Sequence, residues 1–149
     1  MAINVGHGKI FQRLGENDKA LNWFSKSHRV NPAQPDVARE AGLTALDTGE
    51  FQQAVDFIEA AIRVSPSDPG LVSNLALAQV LAGSIERAHH SASVAVAAAR
   101  HDGIVLAVFR VVEKVYLAQA NPPKSMSEIQ RLLQGAGVHH RICGWHLLV

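Results

Sequence analysis

His139, Cys143 and His146 stand four and then three residues apart near the end of the chain. On a helix that spacing would put two imidazoles and a thiol on one face. Imidazole and thiolate are good zinc ligands, and the chain carries 8 histidines in 149 residues. A small metal-binding protein is therefore one chemical reading of the residue types. Two features oppose it. No Cys-x-x-Cys pair accompanies the cluster, and Gly144 weakens the helix on which the geometry depends. The preferred reading is a mixed polar and apolar end segment, with no metal or other cofactor expected. His7, His28, His89, His90 and His101 are scattered and read as surface residues. Cys143 is the only cysteine, so no internal disulfide can form, and no activating pattern surrounds it beyond the nearby histidines.

Other chemistries lack their residues. Gly6-His7-Gly8 follows no strand pattern and precedes no Gly-Lys-Ser/Thr, so it cannot cradle phosphate. Neither a Gly-x-Ser-x-Gly elbow nor a His-Glu-x-x-His helix occurs. The net charge is +1, too small to gather nucleic acid electrostatically, and no aromatic residues interleave with basic ones. The most apolar stretch, 104–112, is broken by Arg110 and falls well short of the roughly 20 residues a membrane span needs. The start of the chain has no basic segment leading into a long apolar run. A non-enzymatic, cytoplasmic protein is expected, binding neither nucleic acid nor membrane.

What the sequence does carry is a period of 34 residues. Gly8 falls on Gly42; Gly15 falls on Gly49 and Gly83; Ala20 falls on Ala54 and Ala88. Pro32 falls on Pro66, Pro35 on Pro69, and Arg29-Val30 on Arg63-Val64. A period of this size marks stacked supersecondary units. Within one unit, Pro35 suits a helix start and Gly49 a left-handed helix end. Val37, Ala41, Ala45 and Leu46 keep helical spacing between them. A second helix carries Ala54, Phe57, Ile58, Ala61 and Ile62 before Ser65-Pro66 stops it. Gly42 and Ala54 are expected where the two helices cross, since small side chains let backbones approach.

The period, the run Gly49-Glu50-Phe51-Gln52-Gln53-Ala54 and the closing Asn31-Pro32 and Ser65-Pro66 resemble the tetratricopeptide repeat. The resemblance implies an all-α fold, a right-handed α-solenoid of three helical hairpins plus C-terminal capping helices. The units are 1–34, 35–68 and a degenerate third, 69–102, with Arg100 where the earlier units have proline. Capping helices follow over 103–137, including a strongly apolar helix at 103–119. After Asn121-Pro122-Pro123 comes a short helix, capped by Ser125 with Glu128 or by Ser127 with Gln130. Residues 138–149 form an apolar tail, expected to pack on the last repeat or to mediate self-association. The repeat phase starts at residue 1, which favours a piece of a longer array.

In this family the first helix of each hairpin lines a concave groove, and the resemblance implies a scaffold that binds another protein's peptide or helix there. The residues so placed are Lys9, Gln12 and Arg13; Asp36, Arg39, Glu40, Leu43 and Asp47; and Ser73, Asn74, Leu77 and Leu81. The carboxylate clamp of members that bind chaperone tails has no match, because its sites read Val5, Lys9, Glu40, Gly70 and Asn74. Glu40 would repel a terminal carboxylate.

Overall fold

A computed structural model describes residues 16–135, which hold seven helices and no strand. They are α1 (Asn17–Val30), α2 (Pro35–Thr48), α3 (Phe51–Val64), α4 (Pro69–Leu81), α5 (Ile85–Ala98), α6 (Gly103–Tyr116) and α7 (Met126–Gly135). They fall into two compact units, which divide between Ser67 and Asp68.

In the first unit α2 packs on α3, and α1 on α2. Val37, Ala41, Ala45 and Leu46 are all buried, as their spacing predicts. Gly49 closes α2 at φ 84°, its N–H donating to Leu46 O, while the Glu50 N–H donates back to Ala45 O at 2.8 Å. That pair of bonds satisfies carbonyls the helix end would otherwise leave open. The chain therefore reverses in two residues, and α3 returns along α2. At the crossing, a Cβ on Gly42 would lie 2.6 Å from Ile58 Cγ1, closer than such atoms ever sit. Ala54, one turn before Ile58, is fully buried, and Gln53 beside it is exposed. Ala20, Phe24 and Ala41 form a small cluster with Phe57 packed against it.

The second unit repeats the plan. Asp68 accepts the N–H groups of Gly70 and Leu71 at the start of α4. Gly83, at φ 87°, turns the chain into α5 with Ser84 N–H donating to Gln79 O. Inside this hairpin the Ser91 hydroxyl donates to Gln79 Oε1 at 2.7 Å, so both buried polar groups are satisfied.

The 34-residue period outlasts the sequence matches. First helices start at residues 35, 69 and 103, so α6 begins in phase. Asp102 caps it by accepting from Ile104 and Val105 N–H, as Asp68 does one period earlier. α6 packs on both α4 and α5. It ends at Tyr116 rather than at 119, because Ala118 takes the left-handed turn (φ 58°) and Gln119 N–H bonds to Lys114 O. Second helices start at 17, 51 and 85, which would put the next at 119; α7 starts at 126. Of the two capping boxes, Ser125–Glu128 is the one formed. Glu128 N–H donates to Ser125 Oγ, and the Glu128 carboxylate accepts from Lys124 N–H.

Candidate functional site

The residues assigned to the first-helix faces separate sharply by exposure. On α2, Asp36 and Asp47 are exposed, and Arg39 is partly so, reaching Asp36 at 3.4 Å. Between them Glu40 and Leu43 are buried. On α4, Ser73, Asn74 and Leu77 are buried, and only Leu81 is partly accessible. Leu81 lines a cavity of about 510 Å³ with Val80, Gly83, Asn121, Pro122, Pro123 and Lys124. The surface these helices offer is thus Asp36, Arg39 and Asp47 in one unit and Leu81 with its cavity in the other. Lys9, Gln12 and Arg13 lie outside the described residues, as do His139, Cys143, His146 and the tail 138–149.

Ser73 and Asn74 carry a second feature. The Ser73 hydroxyl and both amide atoms of Asn74 are buried with no hydrogen-bond partner among the described residues. Leaving a buried polar group unpaired costs about 1–3 kcal/mol, and folded proteins rarely tolerate it without reason. Asn74 is fully inside.

Two histidines depart from the surface role expected of them. His28 is half-buried and meets Phe57 edge-on, ring centres 5.3 Å apart. Burial, and then the positive charge of Arg63, hold its imidazole below the ordinary histidine range. His89, also half-buried, lies flat on Tyr116 at 4.1 Å and close to Phe109. Nothing in the local sequence signals either contact, since the partner rings sit on other helices. His90 and His101 are exposed as expected. Among the described residues no group of three His, Cys, Asp or Glu side chains could hold a metal ion. No helix among them is long and apolar enough to cross a membrane.

Hairpins of paired helices, each turned by a left-handed residue and pitched at 34 residues, define a helical-repeat protein. The tetratricopeptide repeat profile matches residues 5–69 and 39–102, and the chain belongs to that family. Solved structures share the fold. MamA MSR-1 C2 is 18% identical, with a TM-score of 0.66, over 87% of this chain and 71% of that one. A mutant of the O-GlcNAc transferase of Thermobaculum terrenum is 19% identical, with a TM-score of 0.61, over 71% of this chain. The present chain covers 20% of that transferase. No curated protein is similar enough to match.

Proposed function

We propose that this chain is a non-catalytic scaffold that binds a peptide or helix of another protein on the faces of its first helices. Family membership supports a protein-interaction role. The observation that carries the finer reading is the row of accessible charged residues on α2, Asp36, Arg39 and Asp47. Asp36, Arg39 and Asp47 supply charges that orient a partner on α2.

Arg39→Glu with Asp47→Lys changes accessible residues of α2 and should weaken retention of the protein partner isolated on the wild-type chain. Unaltered retention by this variant, with loss caused instead by changes on α3 or α5, would assign binding to the other face.

A further inference from the structure

The α6–α7 hairpin holds a second opening, distinct from the cavity beside Leu81. α7 buries Met126, Ile129 and Leu133, yet it leaves a cleft of about 510 Å³ between itself and α6. That volume is in the range of sites that take side chains or small ligands. Val111, Val115, Leu117 and Leu132 give the cleft its apolar lining, and Leu117 and Leu132 are 52% and 41% exposed. Arg110 and Lys114, one turn apart on α6, and Arg131 on α7 line the same cleft, all exposed. None of the three makes an ion pair among the described residues. Glu113 is the single carboxylate in the lining. The chain as a whole is nearly neutral at +1, so this excess of positive charge is local to the cleft.

An apolar trough between two helices, bordered by unpaired cations, has the makings of a helix-in-groove site. The border selects for charge, because like charges brought together at an interface are repelled and opposite ones attracted. We propose that the α6–α7 cleft docks an acidic amphipathic helix of a partner protein. Its aliphatic side chains enter between Val115 and Leu132, and its carboxylates face Arg110, Lys114 and Arg131.

The test uses the full chain and two fluorescent helical peptides with the same leucine stripe, one flanked by glutamates and one by lysines. Fluorescence anisotropy should show binding of the glutamate peptide, weakened by salt, and on the order of tenfold weaker binding of the lysine peptide or none. Methyl resonances of Leu117 and Leu132 should shift on adding the glutamate peptide. Lys114→Glu with Arg131→Glu alters two exposed residues and should reverse the preference while the circular dichroism spectrum stays the same. Equal binding of the two peptides, or binding of neither, would overturn the proposal. So would displacement of the glutamate peptide by a synthetic peptide of residues 138–149, which would make the chain's own end the occupant.

Discussion

The α2–α3 hairpin and the α6–α7 hairpin both begin with a helix in the same 34-residue phase, yet one is closed and the other gapes. In the first, two residues make the turn, and Gly42 lets Ile58 come within a distance that forbids even a methyl group. In the second, the nine residues 117–125 include Pro122 and Pro123, and α7 arrives late for its place. Proline restricts the residue before it to extended backbone, so this loop cannot fold into one more turn of helix. Small residues at the crossing and a glycine at the turn are what shut a hairpin; apolar content alone does not. α6 is among the most apolar helices of the chain and still fails to close on its partner.

Filling the closed crossing should have the largest effect. Ala54→Leu puts extra atoms where no space exists and is expected to cost about 1–3 kcal/mol. Gln53→Leu, on the exposed side, should stay within about 0.5 kcal/mol. Equal shifts of the two urea midpoints would mean that the helix faces are assigned wrongly.

Gly42→Ala sharpens the comparison further. Alanine favours helix by nearly 1 kcal/mol over glycine, but its methyl would meet the buried Ile58. A net loss of about 1–2 kcal/mol is expected. Gly103→Ala, at the start of α6, meets nothing within 4 Å and should change stability by about 0.5 kcal/mol or less. A stabilised Gly42→Ala protein would show that the two helices lie further apart than described.

A smaller effect belongs to His28, where α1 meets α3. Its folded pKa is lowered from 6.5, so the unfolded chain takes up the proton first as pH falls. The stability this histidine contributes is therefore fully present above pH 6.5 and lost as pH drops from there through the folded value. Melting temperatures measured downward from neutral pH should fall, and His28→Gln should flatten that slope. An unchanged slope in the variant would remove His28 as its source.

The sequence was most legible where backbone chemistry dictates residue type. Gly49 and Gly83 announce left-handed turns, and Val37, Ala41, Ala45 and Leu46 announce a buried face; all are found so. The phase of α6 was written less plainly. The glycine and alanine matches stop before it, and the surviving signal is Asp102 lying 34 residues after Asp68. The left-handed turn at Ala118 was not legible, because alanine rarely adopts that conformation. Exposure along a helix face was legible only in part. Spacing puts Asp36, Arg39, Glu40, Leu43 and Asp47 along one stripe, but packing around the stripe buries Glu40 and Leu43 and spares the rest. The α6–α7 cleft depends on where a proline loop lands, which no local pattern encodes.

Hydrogen exchange on the chain with and without its isolated protein partner tests the scaffold claim most directly, since it reads every helix in one experiment. Binding on the first-helix faces is expected to slow exchange in α2 and α4 most strongly, leaving α3 and α5 close to their unbound rates. Slowed exchange concentrated in α3 and α5, with α2 and α4 unaffected, would contradict it.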